Sequence, residues 1–214
     1  MAIHSSRSRA AAGVALAATV LAAVGLVLAT RGGPGLAGYV SESGVAGAPH
    51  AVLYRLTLVL LALAAGAAAL ALRPVAALAA LALAVAVPCL LASGAVQCSP
   101  GCPLPPYQHP TAGDLVHAGA SIAAVGCCGL AMLAAAMRSA DRPVRTASRW
   151  ALVLMIPAGT AMAGALLLSG HTVLTGSLER ICLAGCLGWV AAVAALRLST
   201  HRQTSGYAGS REAG

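Results

Sequence analysis

Phenylalanine and lysine are both absent from this chain of 214 residues, aromatic side chains make up 3% of it and charged ones 8%. Soluble domains carry about 25% charged residues, and eighteen charged groups cannot hydrate a surface of this size, so a water-soluble fold is excluded. Acidic residues number five, leaving a net charge of +8. That sign would suit nucleic acid. Yet all thirteen basic residues are arginines, scattered in small groups at the edges of apolar runs, with no recognition helix, zinc finger or aromatic stacking platform beside them. Nucleic acid is not an expected partner.

What is abundant is apolar: 59% of the residues, with a mean hydropathy of +0.87. Crossing a bilayer as a helix takes roughly 20 apolar residues, and six segments qualify: 10–30, 51–72, 75–95, 114–137, 150–169 and 177–198. The predicted fold class is all-α, a polytopic bundle of six transmembrane helices. Arg73-Pro74 alone separates the second and third spans, which predicts a tight hairpin with Pro74 in the first turn of the new helix. Pro88 and Pro157 fall inside spans, where neighbouring helices can satisfy the carbonyls they free. The division is therefore 1–9 as N-terminal segment, 10–198 as membrane domain and 199–214 as a polar, disordered tail. Arg7 and Arg9 before an apolar run also fit a secretory signal peptide, but the run from Ala10 to Thr30 exceeds the usual h-region of about 7–15 residues. An uncleaved first helix is the expectation.

Orientation follows from the arginines. Arg7, Arg9, Arg73, Arg138, Arg142, Arg145, Arg149, Arg197, Arg202 and Arg211 fall on one side, against Arg31, Arg55 and Arg180 on the other. Both termini are accordingly expected in the cytoplasm of a multi-pass cell-membrane protein, with connections 31–50, 96–113 and 170–176 outside. The third and fifth helices end there in Ser93-Gly94 and Ser169-Gly170, which suggests a shared left-handed glycine cap.

The remaining ionisable residues concentrate at those outer helix ends. Asp114, His117 and Ser121 stand at i, i+3 and i+7 of the fourth helix, one face reaching about two turns into the membrane. Such a stripe should face protein, as a structural network or as a ligand or catalytic site. Glu179 and Arg180 are adjacent, point about 100° apart, and so should address different neighbours. Arg55 lies one turn inside the second helix and is an expected partner for Glu179 or Asp114. Glu42, Arg55, Asp114, His117, Ser121, Glu179 and Arg180 form the candidate polar cluster, with the Tyr39–Gly44 segment folding over it. Two carboxylates beside an arginine and a histidine can do acid-base work, hold a cation or form a salt-bridge cluster.

Of seven cysteines, Cys98 and Cys102 lie in the longest outer connection around a Pro-Gly turn and are expected to form a disulfide. The other five fall within spans and read as small packing residues. His50, His109, His117 and His171 all lie on the outer side, but without recognisable ligand spacing, so no metal and no cofactor is expected.

Three stretches carry a family resemblance: Tyr39-Val40-Ser41-Glu42-Ser43-Gly44, Gly101-Cys102-Pro103 and Asp114-Leu115-Val116-His117, joined by Glu179-Arg180. Over residues 10–198 the chain resembles the bacterial domain-of-unknown-function 998 family of six-helix membrane proteins. It is similar more distantly to DRAM-like and Frag-like membrane proteins. A remoter likeness, to the seven-helix alkaline-ceramidase-like zinc hydrolases, lacks their His-x-x-x-His spacing and one helix. The resemblance implies a fold and a location rather than a reaction. The leading functional expectation is an outward-facing polar pocket for a lipid headgroup or small ligand. The alternatives are a membrane hydrolase using Asp114, His117 and Glu179, and a small-solute transporter, the last disfavoured by inner helix halves built of Ala, Leu, Val and Gly. Membrane lipids are the expected partners.

Reporter fusions test the topology: a fusion after Gly94 should read as external and one after Ser205 as cytoplasmic. A cytoplasmic signal after Gly94 would overturn it.

Overall fold

A computed structural model describes the backbone of residues 2–209 and the side chains of residues 6–199. Its helices are α1 (Ala2–Ala29), α2 (Ala51–Leu72), α3 (Ala77–Ala95), α4 (Ala112–Arg138), α5 (Arg142–Ser169) and α6 (Val173–Gly209), with a 3-10 turn at Val40–Gly44. The described residues contain no strand, and all six helices are long and apolar enough to cross a membrane. Pro88 and Pro157 sit within α3 and α5, as expected.

Boundaries differ from the apolar runs where capping chemistry decides them. Asp141 accepts from Val144 N–H and Pro143 suits a first turn, so α5 begins at Arg142, well before its apolar stretch. Pro74 lies in the α2–α3 turn rather than in α3, because Val75 and Ala76 N–H both return to Leu72 O, at 2.9 and 2.8 Å. Residues 199–209, assigned from sequence to a disordered tail, continue the helical backbone of α6; the rest of that tail lies outside the described residues. Of the two glycines expected to cap helices, Gly170 has the left-handed φ of 62°. Gly94 does not cap. It is internal to α3, and a Cβ there would stand 3.3 Å from Leu58 Cβ of α2, so the position serves close approach.

Each helix packs on its chain neighbours, α1 also meets α6 to close the ring, and α6 touches α2 and α4. With no phenylalanine, close packing comes from alanine: Ala62, Ala64, Ala65, Ala67, Ala68, Ala69 and Ala71 of α2 are all buried. Trp189 and Met132 are among the few large side chains in this layer. Trp189 is buried with its polar edge satisfied, since Nε1 donates to Ser148 Oγ at 2.9 Å and that hydroxyl donates to Val144 O at 2.8 Å.

The two ends differ. At one, connections are short: Ala140 N–H donates to Val75 O at 2.9 Å, joining the α2–α3 and α4–α5 turns, and Ser8 Oγ donates to Ala71 O at 3.2 Å. There Arg197 of α6 pairs with Asp141 at 2.9 Å, both side chains under a tenth exposed. At the other end lie the long connections 30–50 and 96–111.

Arg197→Ala strands Asp141 as a buried, uncompensated charge at the start of α5. The expected cost is about 3 kcal/mol, read as a lowered unfolding temperature in detergent. A shift equal to that of Arg31→Ala would show the pair to be structurally idle.

Candidate functional site

Polar side chains at the long-loop end form two groups rather than one. The first lies between α3 and α4. Asp114, in the first turn of α4, is 1% exposed and accepts from Ser99 N–H (2.6 Å), Ser99 Oγ (3.1 Å), Thr111 N–H (2.7 Å) and Thr111 Oγ1 (2.8 Å). Thr111 in turn caps α4 by accepting from Asp114 N–H at 3.3 Å. With both oxygens taken, Asp114 is a helix cap that also holds the 98–102 turn. In that turn Cys98 and Cys102 are bonded, with Cα atoms 5.1 Å apart and Gly101 in the left-handed region at φ 83°.

One turn deeper, His117 is 4% exposed. Its Nδ1 lies 2.8 Å from Ser93 O and 2.9 Å from Val96 O, both acceptors, so Nδ1 carries the proton. Ser93 Oγ and Ser121 Oγ are 2.8 Å apart, and Ser121 donates to His117 O at 2.9 Å. His117 Nε2 is buried and bonded to nothing among the described residues.

The second group straps the 30–50 connection onto the start of α6. Glu179 accepts from Val40 N–H at 2.7 Å, and Glu42 accepts from Tyr39 N–H at 2.7 Å while its Oε1 meets His171 Nε2 at 2.7 Å. Arg180 donates to Gly35 O (2.6 Å), Gly38 O (2.9 Å) and Gly176 O (2.8 Å). Glu179 and Arg180 therefore hold the same segment, contrary to the expectation from their 100° separation, because that segment runs across the α6 terminus and meets both. Gly176 makes this possible: a Cβ there would collide with Leu36 O and stand 2.9 Å from Gly38 O. Tyr39 packs edge-on against His171 with ring centroids 4.7 Å apart. Burial, opposed by the Thr175 hydroxyl and reinforced by the Glu179 and Glu42 carboxylates, holds the Tyr39 phenol above its ordinary pKa.

The two groups share no hydrogen bond; Tyr39 and Val45 from one connection pack on Cys98 and Cys102 from the other. Arg55 meets neither Asp114 nor Glu179, whose oxygens are served by backbone amides of the connections. Its backbone lies beside Gly94 of α3, and its Nε is buried without a partner among the described residues. Sequence reasoning did not assign Ser93, Ser99, Thr111, Thr175 and Gly176 to the site. Only Thr111, three residues before Asp114, had a capping-box signal to find it by. No group of three or more His, Cys, Asp or Glu side chains among the described residues is arranged to hold a metal ion.

This geometry defines an all-helical multi-pass membrane protein whose polar residues tie long connections to helix ends. The chain belongs to the family described as a protein of unknown function, DUF998, whose model matches residues 10–196. That match does not show the more distant DRAM-like and Frag-like similarity. No curated protein and no solved structure matches the chain.

Asp114→Asn replaces an acceptor by an amide donor facing Ser99 and Thr111. About 2–3 kcal/mol of stability should be lost, together with hydrogen-exchange protection at Ser99 and Thr111. Unchanged protection at both amides would remove Asp114 from its capping role.

Proposed function

We propose that this protein sits in the cytoplasmic membrane with the long connections outside, and that its outer end binds a lipid headgroup or small ligand carrying a hydrogen-bond donor. The arginine asymmetry supports the orientation, and an external compartment would keep Cys98 and Cys102 oxidised.

His117 carries the binding reading. Two carbonyls hold the proton on Nδ1, so in its neutral form the ring would present a lone pair at Nε2, and leaving a buried acceptor unpaired costs about 1–3 kcal/mol. A ligand N–H or O–H removes that cost. His117 stands five residues into α4, about 7.5 Å along its axis, a depth that headgroups reach. Arg55 Nε and Ser43 Oγ, also buried and unpartnered, supply further polar contacts at the same end. Glu42, Glu179 and Arg180 act as the strap that closes the 30–50 connection, and Asp114 and Ser121 as supports of His117.

Asparagine can place its amide N–H where Nδ1 stands, but it has nothing at the Nε2 position. His117→Asn should therefore keep the tie to Ser93 O and Val96 O and lose the ligand contact. Native mass spectrometry of the full chain extracted from its membrane should find a bound hydroxyl- or amine-bearing molecule in the wild type and in Arg211→Ala, at least tenfold depleted in His117→Asn. The same bound complement in a stably folded His117→Asn would end this reading.

A further inference from the structure

The short-loop end of the bundle carries its own chemistry. Arg7, Arg9, Arg73, Arg138, Arg142, Arg145, Arg149 and Arg197 all lie at this end, where the described residues include one carboxylate, Asp141. Arg197 occupies it. Arg145 and Arg149 turn back onto the end of α4, donating to Ser139 O at 3.0 Å and Ala136 O at 3.3 Å. Arg7, Arg9, Arg73, Arg138 and Arg142 are exposed, and among the described residues none has a hydrogen bond or ion pair.

The fold gathers these five. Ser8, between Arg7 and Arg9, is tied to Ala71, two residues before Arg73. The bond from Ala140 N–H to Val75 O sets Arg73 beside the turn that Arg138 and Arg142 flank. Ala76 gives α3 no side-chain cap, so the first amides of that helix add donors next to Arg73.

We propose that Arg7, Arg9, Arg73, Arg138 and Arg142 form a binding surface for anionic phospholipid headgroups in the leaflet at this end. Guanidinium groups match phosphate oxygens in a two-pronged fork. A zwitterionic headgroup brings its own cation and leaves the mutual repulsion of five arginines unrelieved, whereas a headgroup of net negative charge neutralises it. The surrounding apolar helix faces, Leu70, Leu78 and Met137 among their exposed residues, receive the acyl chains of the same lipid. This surface is independent of the site at the opposite end.

The test uses the full chain in nanodiscs of equal phosphatidylglycerol and phosphatidylcholine, with retained lipid counted by native mass spectrometry. A basic residue at a membrane surface favours anionic lipid by about fivefold, so the wild type should retain phosphatidylglycerol at least about tenfold over phosphatidylcholine. Arg73→Ala, Arg138→Ala and Arg142→Ala combined should lower the ratio at least about fivefold toward the composition of the disc. The matching triple lysine variant should keep most of the preference, and Arg31→Ala, at the other end, all of it. Undiminished preference in the folded triple alanine variant, or equal loss in Arg31→Ala, overturns the proposal. Release of the retained lipid by millimolar inorganic phosphate also overturns it, by making this a site for soluble anions.

Discussion

A buried polar group must find its partner inside the protein when the surroundings are hydrocarbon, and here that requirement is met mainly by the backbone of the connections. Asp114 and Glu179 accept from loop amides, and Arg180 donates to loop carbonyls. Each ionisable side chain stands in the first turns of a helix and reaches across to a segment lacking regular hydrogen bonding of its own. Remove these ties and the 30–50 and 96–111 connections lose the partners that fix them over the helix ends. The apolar interior, largely alanine, packs closely but offers few shapes that distinguish one register from another. The polar ends supply that distinction.

The two ends solve the same problem differently. Where turns are short, backbone pairs with backbone, as Ala140 with Val75, and among the described residues a single ion pair, Arg197 with Asp141, fastens α6 to the start of α5. Arg7, Arg9, Arg73, Arg138 and Arg142 are left exposed and without bonds among the described residues. Where connections are long, Glu42, Asp114, Glu179 and Arg180 are consumed in holding them. Arg180 shows the contrast within one residue type: three carbonyls take its donors, whereas Arg73 has no such bonds among the described residues.

The spans were legible because hydrocarbon thickness sets their length, and alanine-rich runs of that length have no other soluble or strand reading. The start of α5 was not, since Arg142 to Arg149 look like a polar connection until Asp141 and Pro143 are read as cap and first turn. The candidate site was legible as a set of residues and less so as a set of pairs. Arg55 was matched to carboxylates by charge, but charge is only one way to satisfy a carboxylate. A loop amide has fewer rotatable bonds to freeze than a long guanidinium side chain, and no residue identity announces it. The same blindness hid Gly176, whose importance lies in a carbonyl approaching from a distant segment.

Asp114 and His117 differ once their hydrogen-bond partners are counted. They share a face of α4, one turn apart, and both are buried. Asp114 has four donors on its two oxygens, all supplied by Ser99 and Thr111 of the adjoining connection. His117 has Nδ1 held by two carbonyls and Nε2 without a partner among the described residues. A bundle that needed only a staple at this depth would be served by a residue with a donor alone. The imidazole leaves Nε2 buried and without a partner among the described residues, and the proposed ligand contact rests on that one atom.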